Sequence, residues 1–359
     1  DVVSGGTPSR ATAEFWDGGT IPWIKIGNIQ RKYVDEADEY ITQAGLEGSS
    51  AKMLSAGTIL FTIFATLGEV GILTIEACTN QAIAGITIKN QSDILTDYLY
   101  YFLKSQKSCI AALGRGVAQN NINLSILRNF EVPIPDLPMQ KQIVAILDKT
   151  AKVVEVRQQQ LQQLDELVKA RFVELFGDGN HPHIALIDLI IEGAGLSYGI
   201  VQPGDDGTGD MGVLRPVDMV DGKISTASIK YIDRSIGDGF KKTELYGDEL
   251  LITVRGTTGI TALTDIRFNG MNVTRGIAVV RYDRNKINPV YLNAYLNTDE
   301  SQRYIQEHTR GATLQQINLS DLRVQQIMVP PLALQEQMAA FIEQTDKSKV
   351  VVQDEVNGL

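Results

Sequence analysis

The sequence has little with which to do redox or metal chemistry and nothing with which to cross a bilayer. It has two cysteines in 359 residues, Cys78 and Cys109, at no metal-like spacing. That fits a reducing cytosol better than a disulfide framework and predicts a cytoplasmic protein. The longest apolar runs, such as 184–191, are broken by Asp188 and are far too short for a membrane span. Nothing at its start resembles a signal peptide. No Walker loop and no Gly-x-Ser-x-Gly occurs. The HPH at 181–183 has no third ligand cluster, and Asp205, Asp206 and Asp210 lie in a Gly-rich loop without an EF-hand pattern, so neither predicts a metal site. With 43% hydrophobic and 21% charged residues, disorder is excluded and there is room for two cores.

Base is also short: the formal net charge is −10, whereas a free-standing nucleic-acid binder is usually basic. Yet acid is missing from two stretches. Residues 98–130 contain no Asp or Glu but carry Lys104, Lys107, Arg115 and Arg128, and 266–282 likewise carry Arg267, Arg275 and Arg281. Acid concentrates in 35–39, 205–210 and 233–249. Any single run reads most simply as a solvated face. Two acid-free basic runs at related places predict a polyanion-facing surface, supplemented by a partner's charge.

What is present in quantity is repetition. The stretch RGVAQNNINLSILRNFEVPIPDLPMQKQI at 115–143 returns as RGATLQQINLSDLRVQQIMVPPLALQEQM at 310–338, an offset of 195. Carried without a gap from 115 to 152, that offset gives 15 identities in 38 positions, where composition alone would give roughly two or three. A repeat this long is a whole domain plus a connector, and two copies in one chain approximate a two-fold dimer. Such a protein is expected to recognise something with two halves.

Each copy has the same order of parts. WIKIGNI at 23–29 alternates as a strand, GTILFTIFATLGEVGIL at 57–73 reads as strand, Gly-marked turn and strand, and NQAIAGITI at 80–88 is a further apolar segment. A helix is predicted over 96–107, with Thr96 and Asp97 as caps, and Pro133 and Pro135 end the unit. In the second copy VLRPVDM at 213–219, GDELLITVRGTTGITAL at 247–263, MNVTRGIAV at 271–279 and the helix over 288–297 stand for the same parts. Strands and helices without a regular βαβ rhythm predict an α+β class.

Residues 138–176 have no internal Gly or Pro, and Leu147, Val154, Leu161, Val168 and Leu175 recur every seven residues. That is one helix with a coiled-coil seam, begun at Pro138 and ended at Gly177. The repeat supplies a partner, because 332–356 starts a second such helix with Met338, Phe341 and Ile342. The predicted division is therefore a domain at 1–137, a helix at 138–176, a domain at 177–331 and a shorter helix at 332–359.

Two fragments suggest an adenine methyltransferase: FGDGN at 176–180 for a cofactor loop and NPVY at 288–291 for a target-base motif. Context argues against both. A cofactor loop follows a strand and opens a helix, whereas FGDGN follows a long helix, and NPVY lies where the other copy has a helix start, TDYL at 96–99. The chain is expected to perform no chemistry and to hold no cofactor.

SGGTPSR at 4–10, IPWIKIGNI at 21–29, GTILFTIFATLG at 57–68, NQAIAGI at 80–86, YGIVQPG at 198–204 and the INLSxLR…Q.Q domain end resemble the specificity subunit of type I restriction-modification systems. The resemblance spans almost the whole chain. It implies two target recognition domains that read double-stranded DNA, with helices pairing as an antiparallel coiled coil that spaces them and docks methyltransferase subunits, two of them. S-adenosylmethionine belongs to those partners, and nuclease subunits join in some such systems. The family's first domain begins before its SGGTP element, which implies a start earlier than Asp1. Its hairpin often carries Arg before Gly-Thr, a place taken by Arg255 in the second copy and by Phe64 in the first.

Amide and guanidinium groups carry direct readout, Asn or Gln to adenine and Arg to guanine. The candidates are Gln119, Asn120 and Asn121 against Gln315 and Gln316; Asn80 and Gln81 against Asn272, Thr274 and Arg275; and Thr66 against Arg255, Thr257 and Thr258, with Tyr198 and Gln202 in the second opening. Lys25, Arg115, Arg215 and Arg310 are assigned to phosphates. For each, capping or backbone satisfaction is the plainer role, and Asn123 with Asn318, identical in both copies, is read that way. The rival reading is a duplicated adaptor whose coiled coil assembles proteins without reading DNA.

Overall fold

The structure, a computed structural model, describes residues 1–114, 122–177, 179–204, 207, 209–220, 222–312 and 314–358. The chain divides into two compact units, Asp1–Val156 and Arg157–Leu359.

In the first unit the strand Ile59–Thr62 is buried on both faces, which is why it is written as a continuous apolar run rather than an alternating one. It lies in the middle of a five-stranded sheet in the order Val2–Ser4, Ile83–Ile86, Ile59–Thr62, Val70–Leu73, Tyr33–Val34. Neighbours are antiparallel except the last pair. One face receives the helix Thr96–Ser105, whose Leu99, Tyr100 and Leu103 pack on Ile59, Phe61 and Ile72. The helix has Asp97 in its first turn and Lys104 in its last, both complementary to its dipole. A second sheet runs Glu39–Ile41, Ile21–Ile24, Cys78–Thr79, the last pair parallel.

The second unit repeats this plan with four strands in its larger sheet where the first has five. Its sheets run Ser197–Tyr198, Ile277–Val280, Leu250–Thr253, Thr261–Leu263, and Lys230–Ile232, Met211–Leu214, Asn272–Val273, with the last pair again parallel. Helices and sheets thus combine as α+β in both units.

The predicted helices form as Leu137–Phe176 and Leu332–Asn357. Within the second unit they pair. Arg157 meets Glu355 at 2.8 Å, Asp165 meets Lys349 at 2.7 Å, and the Arg171 guanidinium lies 5.8 Å from the Phe341 ring centroid. As residue numbers climb on one helix their partners fall on the other, so the pair is antiparallel.

The seam meets the second unit's core as well as the paired helix. Met338 is fully buried in the second unit's own core, and Val168, Leu175 and Ile342 pack against that core. Phe341 lies half-buried beneath Arg171, and Leu147, Val154 and Leu161 are half-buried. A heptad stripe reports that something covers it, and here intramolecular packing covers much of it. The apolar side chains that this helix leaves in solvent are others: Met139, Ile146 and Val153, again seven apart, with Val156, Leu167 and Val173.

Each long helix is tied to its domain by the same buried glutamine. Gln140, with no exposed surface, accepts from the Leu95 N–H at 2.8 Å and donates to the Asp93 and Pro135 carbonyls, both at 2.8 Å. Gln335, equally buried, accepts from the Asn288 N–H at 2.8 Å and donates to the Pro330 and Lys286 carbonyls at 2.7 and 3.4 Å. A duplicated tyrosine closes the frame: Tyr98 donates to the Pro133 carbonyl at 2.8 Å and Tyr291 to the Met328 carbonyl at 3.0 Å.

The first unit adds a further bolt. Lys32 reaches Asp97 and Asp148, both at 2.6 Å, and the Tyr101 hydroxyl donates to Asp148 at 2.6 Å. Desolvation works against the Asp148 carboxylate, but the hydrogen bonds from Lys32 and Tyr101 prevail and hold its pKa below the ordinary range.

Replacing Gln335 by Leu leaves the Asn288 N–H and two carbonyls without partners. Urea unfolding is expected to show a loss of about 2–4 kcal/mol.

Candidate nucleic-acid interface

The site is built on the Gly-marked hairpins. In both copies a threonine at the end of the first hairpin strand supports the turn: the Thr62 hydroxyl accepts from the Glu69 N–H at 2.8 Å, and that of Thr253 accepts from the Ile260 N–H at 2.9 Å. The turn backbones then match. Gly68 and Gly259 have φ of 81° and 87°, and Ala65 and Gly256 have φ of 59° and 87°. Ala65 is the one non-glycine residue at positive φ among the described residues, a conformation costing an L side chain about 1–2 kcal/mol. This fixes the correspondence of Phe64 with Arg255, Thr66 with Thr257, and Leu67 with Thr258.

Two further segments are hydrogen-bonded to each hairpin end. The Ile63 and Val254 N–H groups donate to the Ala82 and Gly276 carbonyls, both at 2.8 Å. The Ile63 and Val254 carbonyls accept from Ile122 and Ile317, both at 3.0 Å. In the second copy the Gly256 N–H donates to the Gln315 carbonyl at 2.9 Å, Arg310 and Gln316 exchange backbone bonds at 2.8 Å, and the Thr258 and Thr309 hydroxyls lie 2.9 Å apart. Arg275 donates its N–H to the Ile200 carbonyl at 2.9 Å, which draws in the segment bearing Tyr198 and Gln202. Thus Arg255, Thr257, Thr258, Thr274, Arg275, Arg310, Gln315 and Gln316 share one edge of the second unit.

Ladder register revises the pairing of candidates between copies. Trp23 pairs with Cys78, and its counterpart Val213 pairs with Asn272. Asn272 therefore corresponds to Cys78, Thr274 to Asn80, and Arg275 to Gln81. Asn272 is 1% exposed, and its side chain accepts from Thr243 at 2.8 Å while donating to the Phe240 carbonyl at 3.1 Å. It is a scaffold residue that no groove can reach. Thr258, 7% exposed, is nearly as enclosed.

Two cations assigned to phosphate are already held. Lys25 is 2.6 Å from Glu39, whose carboxyl is kept below the ordinary range first by Lys25 and then by Arg10. The Arg215 guanidinium forks onto the buried Asp218 at 3.0 and 3.1 Å. The acid-free runs fare likewise: Arg267 pairs with Asp265 at 2.6 Å, Arg281 with Glu249 at 3.7 Å and Lys107 with Glu69 at 2.5 Å. Those acids lie outside the runs in sequence and are brought in by folding. By contrast the guanidinium groups of Arg255 and Arg275 make no hydrogen bond or ion pair among the described residues, and Arg310 is 3.8 Å from Asp321. Gln81 and Thr66 are exposed, and Asn80 is half-buried with its side chain accepting from the Ala82 N–H at 3.1 Å. Arg115, Gln119, Asn120 and Asn121, like Asp205 and Asp206, lie outside the described residues. Asn123 caps its helix, its side chain accepting from the Ile126 N–H at 3.1 Å.

The enzyme fragments have structural roles. The Gly177 N–H closes the long helix onto the Val173 carbonyl at 2.8 Å. The Asn288 side chain accepts from Val290 and Tyr291 N–H groups at 2.9 and 3.2 Å as a helix cap, and Tyr291 is fully buried. Among the described residues there is no group of three or more His, Cys, Asp or Glu able to hold a metal, and no helix is long and apolar enough to cross a membrane.

The family model of the type I restriction modification DNA specificity domain matches residues 1–166 and, again, 210–355. The chain belongs to this family. A type I restriction enzyme specificity subunit of Escherichia coli is 32% identical over 151 residues, a match spanning 40% of this chain and 37% of that protein. The type I restriction enzyme MjaIX specificity subunit of Methanocaldococcus jannaschii is 22% identical over 370 residues, covering 96% of this chain and 84% of that protein. The crystal structure of the type I restriction-modification system S subunit from M. genitalium superposes with a TM-score of 0.56 at 15% identity, over 100% of this chain and 90% of that one. The duplicated frame is thus the frame of type I specificity subunits.

Ala65→Gly is expected to relieve the left-handed strain in the first hairpin. Part of that gain is offset by unfolded-state entropy, so thermal or urea unfolding should show a net stabilisation of up to about 1 kcal/mol.

Proposed function

We propose that this chain is the DNA-reading subunit of a type I restriction-modification complex. Each copy reads one half of a split, asymmetric target, and the helix between the copies sets the length of the unread gap. The observation that carries this reading is the contrast between frame and edge. Clamps, hairpin turns and ladders repeat between the copies, while the exposed side chains on the hairpin edge differ. Identical loops would read identical half-sites; these loops differ, so the target is bipartite and not palindromic.

Methylation belongs to partner subunits, two in number, which supply S-adenosylmethionine chemistry and dock along the long helices. The exposed stripe of Met139, Ile146 and Val153 offers apolar surface for that docking. The partners also supply positive charge. This chain carries −10 and ties up many of its own cations, so it has few left to displace counterions from DNA.

The isolated chain is expected to bind duplex DNA at physiological salt no more tightly than the non-specific range, roughly micromolar or weaker. Adding the methyltransferase subunit should tighten it at least tenfold in fluorescence anisotropy; nanomolar, sequence-specific binding by the pure chain would overturn this account of its charge. Inserting four residues at Gln160 lengthens the helix by about 6 Å. Sequencing methylated adenines should then show a changed gap between unchanged half-sites, and altered half-sites would contradict the division of labour.

A further inference from the structure

We propose that the two copies read different bases from one equivalent position: Arg275 of the second selects a guanine, and Gln81 of the first selects an adenine. This rests on the DNA-reading function proposed above.

The two residues occupy the same place in the fold. Each lies three residues beyond a ladder-paired counterpart, Cys78 or Asn272. The residue after each accepts a 2.8 Å hydrogen bond from the hairpin end, Ala82 from Ile63 and Gly276 from Val254. Both side chains are exposed. The backbone that aims them is duplicated, and the functional group it aims is not.

Each group suits one purine. The Arg275 guanidinium makes no hydrogen bond or ion pair among the described residues, in a unit where Arg215, Arg267, Arg281 and Arg284 all meet carboxylates. A free, planar fork of donors matches the O6 and N7 acceptors of guanine. The Thr7 hydroxyl donates to the Gln81 Oε1, which holds the amide while leaving Nε2 as donor and the second Oε1 lone pair as acceptor. That pair of functions matches the N7 acceptor and N6 donor of adenine. The neighbouring hairpin position drifts in the same direction, with a second free guanidinium at Arg255 against the 47% exposed ring of Phe64.

The test is selection of randomised DNA duplexes by the full chain together with its methyltransferase subunit, for the wild type and for Arg275→Gln, Arg275→Lys and Gln81→Arg. Lysine keeps the charge and loses the fork. Both Arg275 variants are expected to lower the preference for guanine at one position of one half-site roughly tenfold or more, leaving the other half-site unchanged. Gln81→Arg should convert an adenine to guanine in the other half-site. Full guanine preference in Arg275→Lys, with Arg275→Gln weakening every sequence alike, would make Arg275 a phosphate contact and overturn the assignment. Unchanged half-sites in all variants would overturn the base assignment while sparing the DNA-reading function. A wild type that enriches no sequence would remove that function and the assignment with it.

Discussion

The fold depends on a buried primary amide at the first turn of each long helix. Gln140 and Gln335 each join the start of the helix, the loop before the domain helix and the proline-bearing domain end through three hydrogen bonds. In a site with no exposed surface, an unmade bond leaves a polar group that water cannot reach, so the three segments are held in one arrangement. Each domain thereby dictates the direction in which its helix leaves. A reading edge is useful only if its position is fixed independently of the bases it reads, and this clamp supplies that independence.

The same clamp explains which residues the duplication kept. Gln140, Gln335, Asn123 and the prolines of the domain end are identical or near-identical between copies because they close hydrogen bonds that the domain needs; Asn318, also identical and expected to cap, makes no side-chain bond to its helix. Such residues were visible in the sequence as identities before their partners were known. Strands buried on both faces and a 40-residue helix were visible too, since continuous apolar runs and seven-residue spacing are local signals. Partnership was not. Arg267 and Arg281 read as free base in an acid-free run, yet each finds an acid that lies just outside the run or more than thirty residues away. Asn272 looked like a reader because it lies near Arg275 in sequence; only the ladder shows it on the inner side of the strand end. The heptad seam likewise announced a partner helix but not that the second unit's own core would cover part of it.

Charge follows the same logic. A chain of net charge −10 that must approach a polyanion is repelled by its mean field, and pairing cations with its own acids removes them from that approach. The exceptions become informative for this reason. A guanidinium left without a partner in such a chain gives up a favourable local interaction, and the loss is offset only if another group satisfies it. Arg255 and Arg275 are left this way among the described residues, on the edge where three loops meet, while Arg215 is forked onto buried Asp218. The contrast separates scaffold cations from surface ones where sequence alone grouped them together.

Drift and identity are therefore two sides of one constraint. Because the backbone of the hairpin is held by Thr62 or Thr253 and by bonds to its neighbours, the side chains at its rim can change without disturbing the clamp beneath. The first copy shows how far that tolerance reaches, since it keeps the left-handed turn with an alanine at position 65 where the second has Gly256. A turn that survives a strained residue is held by its surroundings rather than by its own preference. Rim residues such as Gln81 and Arg275 can then be exchanged while the backbone frame beneath them stays the same in both copies.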